Sequence, residues 1–209
     1  MKKRTIVILS PFLIMLVNVI VAVVAGQYIG KWAFVPIILI EWALFIFFIL
    51  VYGGNEALVR WLKPSKGGWG WIIVALLIAI TPLPIFLKYN NLLASWQLIV
   101  PWILLALVNP WLEEFYWRGL LMDYSKNWGA TWSILFTSIM FSINHAVFGI
   151  QAELFRGPEI LISTFLMGLV WAITYKRTDS LRWVIFAHFL ADFFNLSSVS
   201  FLDLFKPGW

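Results

Sequence analysis

Trp111-Leu-Glu-Glu-Phe-Tyr-Trp-Arg-Gly-Leu-Leu121 sets two adjacent carboxylates and an arginine inside an apolar run. Residues 98–108 before it carry no charge, and residues 120–122 resume the apolar pattern. Ionisable side chains are costly at membrane depth, so where they occur they serve a pathway, a partner or chemistry. Read as helix, Glu114 and Arg118 lie four residues apart and share a face. Glu113 points about 100° round the axis, free to address something else. Two later stretches look like its partners, Phe141-Ser-Ile-Asn-His145 and His188-Phe-Leu-Ala-Asp192, and they hold the only two histidines of the chain.

The composition makes this a polytopic integral membrane protein. Of 209 residues, 62% are hydrophobic and 12% charged, and the mean hydropathy is +0.90. A soluble domain is typically about 45–50% apolar and 25% charged. The apolar stretches use most of the length, so residues 1–209 are read as one all-α transmembrane domain, with a motif-bearing core at about 96–200. Cysteine is absent, which excludes a disulfide framework, a thiol nucleophile and thiolate metal ligands.

Seven spans are expected, or eight if the tail re-enters the membrane: residues 5–25, 32–52, 69–87, 96–122, 131–150, 160–175 and 183–202. The first follows the basic cap Lys2-Lys-Arg4 and exceeds the apolar core of a signal peptide, about 7–15 residues. Residues 55–62 read as a short interfacial helix. Inner loops of membrane proteins are rich in Lys and Arg. With the N-terminus inside, eleven of the fifteen basic residues fall at inner ends (Arg60, Lys126, Lys176 and Arg118 among them) and four at outer ends, Lys31, Lys88, Arg156 and Lys206. The net charge of +5 thus reads as membrane orientation rather than nucleic-acid binding. Trp32, Trp69, Trp96, Trp128 and Trp183 sit at span ends, where indole prefers the interface.

The charged motifs can meet. In a hairpin of spans four and five that turns at Gly129, Glu113 and His145 are level, roughly 13–21 Å from the inner ends at about 1.5 Å per residue. His188 lies about 7–8 Å from its own inner end by the same rise. His188, Asp192 and Asn195 follow at i, i+4 and i+7 on one helix face. The site is therefore expected among spans four, five and seven. Pro110 removes one helical hydrogen bond about a turn before the glutamates. Glu114 with Arg118 reads as a structural pair, Phe141 as site wall, and Asn144 and Asn195 as interhelical hydrogen-bonding residues. Glu41 on span two reads as a second polar contact for the core.

Together the three motifs resemble the CAAX protease and bacteriocin-processing (CPBP, or Abi) family of intramembrane proteases, over roughly residues 96–200. Its first motif is two glutamates, three residues and an arginine, here Glu113, Glu114 and Arg118. The second is Phe-x-x-x-His, here Phe141 and His145. The third is His-x-x-x-Asn or Asp, here His188 and Asp192. The resemblance implies hydrolysis of membrane-embedded peptide or protein substrates inside the bilayer. Glu113 would be general base, His145 its water-positioning partner, His188 with Asp192 the oxyanion side, and Glu114–Arg118 a clamp. Family members have been described both as metalloproteases and as glutamate proteases. A divalent metal such as zinc, held by Glu113, His145, His188 and Asp192, therefore stands as the alternative to metal-free chemistry. Asp192, unlike Asn, cannot donate to an oxyanion unless protonated; it could orient His188 by accepting its ring N–H, or ligate a metal.

Two other functions fit parts of the pattern. One is a catalytically silent scaffold or immunity protein that binds a membrane partner. The other is a proton-coupled transporter, since Glu, Asp and His inside spans also mark proton relays. Transporters often carry internal repeats, and this chain has none. The short chain looks bacterial, which points to a plasma membrane with the N-terminus in the cytoplasm.

Overall fold

The computed structural model describes residues 2–205, and those residues contain helix and no strand. Eleven α-helices run α1 Lys3–Ile29, α2 Phe34–Phe48, α3 Gly54–Trp61, α4 Trp69–Ala79, α5 Leu83–Tyr89, α6 Trp96–Glu114, α7 Met122–Ser125, α8 Ala130–Ala146, α9 Pro158–Thr178, α10 Arg182–Phe194 and α11 Ser197–Phe201. Two π-helical segments, Ile49–Gly53 and Phe115–Leu121, extend α2 and α6. The interfacial helix expected at 55–62 is α3. Lys206, counted above as an outer charge, lies outside the described residues.

Five helical stretches are long and apolar enough to cross a membrane: Lys3–Trp61, Trp69–Leu92, Trp96–Trp128, Ala130–Ile150 and Pro158–Thr178. The difference from the seven expected has two sources. Lys3–Trp61 holds two of the expected spans, folded back on each other at Gly30. The φ of 55° and ψ of −133° there suit a residue without a Cβ. The seventh expected span is broken: α10 stops at Phe194, Leu196 turns left-handed at φ 51°, and α11 restarts for five residues. Serine hydroxyls take up carbonyls around the break. Ser197 donates to Asp192 O at 2.7 Å, Ser200 to Asn195 O at 2.6 Å, and Ser198 to Leu98 O at 2.8 Å. Such local substitution lets a helix break persist at membrane depth.

Helices α8 and α9 form one antiparallel pair and α6 with α10 another, while α4 bridges α9 and α10, and α1–α2 pack as a hairpin. All three motif carriers, α6, α8 and α10, thus lie in one bundle. Leu104, Leu107, Ile139, Ile143, Ile162, Leu166 and many other large apolar side chains point outward, as a lipid-facing surface requires. Trp69 and Trp96 are also exposed at their helix starts.

The polar contacts sort to the two ends of the bundle. At one end Arg4 donates to Tyr124 O at 3.2 Å, Arg60 pairs with Asp123, Lys66 pairs with Asp179 at 2.8 Å, and Arg182 donates to Leu62 O at 2.6 Å. At the other, Asp203 accepts from Lys31 Nζ at 2.8 Å and from the backbone N–H groups of Glu153 and Leu154 at 2.7 and 2.9 Å. Each contact joins segments that the charge pattern assigns to the same side. Arg118 is the exception in that pattern: it is no loop charge but is fully buried.

Partial burial raises the Asp203 carboxyl, but the Lys31 ammonium and the two backbone donors outweigh it, and the net shift is downward. A lowered carboxylate pKa contributes stability that is complete above the ordinary value and lost as pH falls through the lowered one. The amide resonances of Glu153 and Leu154 are therefore expected to titrate with a midpoint below 3.8, the ordinary value for this group. In Asp203→Ala they should exchange with solvent at least tenfold faster at neutral pH, given about 1.5–3 kcal/mol for a charge-assisted hydrogen bond.

Candidate functional site

The chain through Glu114 is helical in spite of Pro101 and Pro110, which sit inside α6. Directly after Glu114 the helix widens into the π segment. Single π turns inside α-helices frequently mark functional positions. Here the wider turn carries Arg118 while Tyr116 packs against Phe45, ring centroids 4.4 Å apart, and shares a 2.7 Å hydrogen bond with Ser10 of α1.

Glu114 is the hub of the cluster. Its Oε1 accepts from Arg118 Nη1 at 2.9 Å and from His188 Nδ1 at 2.8 Å. All three side chains are buried. The pairing of Glu114 with Arg118 is the i, i+4 contact expected from sequence; the bond to His188 was not expected. It changes the role open to Asp192, because the ring N–H that Asp192 might have accepted is held by Glu114 instead. Asp192 Oδ2 lies 3.7 Å from the other ring nitrogen, Nε2. Glu113 Oε2 stands 3.7 Å from the same Nε2 and has no hydrogen-bond partner. Both gaps exceed a direct hydrogen bond and are of the length that a bridging water or hydroxyl spans.

Arg118 keeps Nε and Nη2 without hydrogen-bond partners. Its guanidinium lies instead over aromatic faces, 4.2 Å from the Phe141 centroid and 5.6 Å from that of Trp171. Cation–π attraction is worth more where the charge is desolvated. Trp171 also stacks on His188 at 4.6 Å. Phe141 meets the His145 ring at 4.5 Å and the His188 ring at 6.1 Å, so it forms the wall between the two histidines. His145 Nδ1 lies 2.8 Å from Phe141 O. A carbonyl only accepts, so Nδ1 carries the hydrogen and Nε2 is left as an acceptor in the neutral ring. Among the described residues no hydrogen bond or ion pair joins His145 to Glu113.

Asn195 ends α10 and accepts from Ser200 through its backbone carbonyl; its contacts belong to the helix break and not to His188. Asn144 does bridge helices, donating to Glu41 Oε1 at 2.5 Å, and Glu41 is the second polar contact read from sequence. Trp171, Trp42 and Asn109 were not singled out. Asn109 had a signal, an amide within an otherwise apolar span directly before a proline. Trp171 had a weaker one, an indole set in from the span end.

Among the described residues no three His, Asp or Glu side chains are arranged to hold an ion. His188 Nδ1 is committed to Glu114. The described residues as arranged do not fit a metal site.

Glu113, Glu114, His188 and Asp192 thus form a carboxylate–histidine cluster inside a helical bundle. Residues 94–194 match the family model described as type II CAAX prenyl endopeptidase Rce1-like. Over those residues, a little under half of the chain, it is similar to that family, and the match carries all three motifs while leaving α1–α5 outside it. No curated protein and no solved structure matches the chain.

Close packing around Arg118 depends on Gly168 of α9. A Cβ there would stand 3.2 Å from Arg118 Nη2, 3.2 Å from Phe141 Cδ1 and 3.3 Å from Ser138 Cα. Gly168→Ala is expected to destabilise the protein by about 1–3 kcal/mol through overpacking, read as thermal unfolding in detergent. Gly70→Ala, where a Cβ meets open space, should be neutral or slightly stabilising by helix propensity.

Proposed function

We propose that the protein is an endopeptidase that hydrolyses membrane-associated peptides or proteins with a water activated by Glu113. The observation that carries this reading is the division between the adjacent carboxylates. Glu114 is anchored through Oε1 by Arg118 and His188, with its Oε2 unbonded, whereas Glu113 makes no hydrogen bond among the described residues and sets its buried Oε2 3.7 Å from His188 Nε2. Splitting two carboxylates between a structural and a chemical role is a recurrent device.

In the proposed cycle Glu113 takes a proton from water as the hydroxide adds to the scissile carbonyl carbon. His145, with Nδ1–H tied to Phe141 O, offers Nε2 to the water's other hydrogen. His188 acts as the imidazolium: its Nδ1–H is held by Glu114, and its Nε2–H is donated to the carbonyl oxygen as it becomes negative, the contribution of an oxyanion hole. Asp192 flanks that nitrogen and balances the charge it carries. Collapse of the tetrahedral adduct breaks the C–N bond, and the leaving amine receives the proton held by Glu113. Aromatic walls from Phe141 and Trp171 keep bulk water from the pair.

The charge pattern supports a cytoplasmic N-terminus and a substrate cut near its cytoplasmic membrane boundary, in a bacterial plasma membrane. Removing Arg118 from the inner set leaves ten basic residues at that end, so the bias stands. The lipid bilayer and an embedded peptide substrate are the partners this implies.

Turnover of a fluorogenic membrane-peptide library by the purified protein tests the reading. Glu113→Ala and His145→Ala should each lower cleavage by at least about a hundredfold, the scale of a general base contribution, with the fold intact. A strong chelator should leave wild-type cleavage unchanged. Loss of cleavage in chelator would move the chemistry to a metal. Equal inertness of wild type and variants would point to a protein that binds a membrane partner without cleaving it.

A further inference from the structure

The family match begins at residue 94, yet two consecutive residues of α2 reach the candidate site from different sides. Glu41 and Trp42 are about 100° apart round the helix. Glu41 Oε1 accepts at 2.5 Å from Nδ2 of Asn144, the residue before His145. Trp42 Nε1–H donates to Asn109 Oδ1 at 2.8 Å, and Asn109 Nδ2 donates to Asp192 Oδ2 at 3.2 Å. That carboxylate oxygen is the one 3.7 Å from His188 Nε2.

The direction of these bonds is fixed by chemistry. An indole N–H donates only, so the Asn109 atom facing it must be the oxygen. Its NH2 group is thereby turned to Asp192. A flipped amide would set an NH2 against the indole N–H and an oxygen against a carboxylate, losing both bonds at once. Hydrogen bonds between membrane helices can serve packing alone. This one differs in that its far end is a carboxylate of the candidate site, and that carboxylate has no other hydrogen bond from a side chain among the described residues.

We propose that α2 is a positioning element: Trp42, acting through Asn109, sets Asp192 against His188, and Glu41, acting through Asn144, sets the turn of α8 that carries His145. None of these four touches the reacting atoms. The inference rests on the endopeptidase reading for its effect on rate, but the hydrogen-bond relay itself can be read without turnover.

The experiment uses full-length protein in detergent micelles with 15N-labelled tryptophan. Absence of one indole resonance in Trp42→Phe assigns it. That resonance should shift in both Asn109→Leu and Asp192→Asn, since each alters the acceptor or its orientation. With the library substrate, Trp42→Phe and Asn109→Leu should each lower kcat by roughly ten- to a hundredfold, the cost of slight misplacement, with KM changed less than about twofold. In an Asp192→Ala background Asn109→Leu should lower kcat no further, because residues acting as a unit are not additive. An unmoved Trp42 resonance in Asn109→Leu would overturn the relay. Additive losses, or an effect on KM alone, would overturn its role in positioning. If wild type cleaves nothing, the endopeptidase reading falls while the resonance still decides the relay.

Discussion

One carboxylate oxygen, Glu114 Oε1, accepts from both Arg118 and His188, and the centre of the bundle is arranged around it. A buried arginine without a counter-charge would be strongly destabilising, whereas a paired one is tolerated if its remaining groups find partners. Here one amino group meets Glu114 and the guanidinium face meets Phe141 and Trp171. The same glutamate holds the Nδ1–H of His188 and leaves Nε2 facing Glu113 and Asp192. Structural need and chemical preparation are thus met by one side chain. α6, α8, α9 and α10 are held at a common level by its immediate neighbours.

Both glutamates address α10, Glu114 on the Nδ1 side of His188 and Glu113 on the Nε2 side. Glu113 makes no hydrogen bond among the described residues, and its Oε2 is buried, whereas Glu114 has two bonds on Oε1. Asp192 approaches Nε2 from the other side, oriented by Asn109 and beyond it by Trp42. Three carboxylates, one arginine and one histidine therefore share a small volume. Its charge balance depends on where a proton sits, which suits a cluster that moves protons.

Much of this was legible in the residues. The charged motif inside an apolar run and the i, i+4 pairing of Glu114 with Arg118 follow from spacing alone. So did the association of loops by side, which reappears as Arg4–Tyr124 at one end and Lys31–Asp203 at the other. What spacing could not supply was partner choice across helices. Nothing in the order of residues says that His188 would bond Glu114 rather than Asp192, since both lie within reach once α6 and α10 pack. The break at Leu196 was hidden because Ser197, Ser198 and Ser200 read as mild polar residues in a span, yet their hydroxyls replace the lost backbone bonds. The π turn after Glu114 was likewise invisible, because it conserves composition and changes only winding.

The central claim is that two neighbouring glutamates do different jobs, and the most direct measurement compares Glu113→Gln with Glu114→Gln in both thermal unfolding and single-turnover cleavage. The account predicts that Glu113→Gln unfolds at or above the wild-type temperature while cleaving nothing, and that Glu114→Gln unfolds well below it. A Glu114→Gln protein as stable as wild type, or a Glu113→Gln protein that still cleaves, would contradict it.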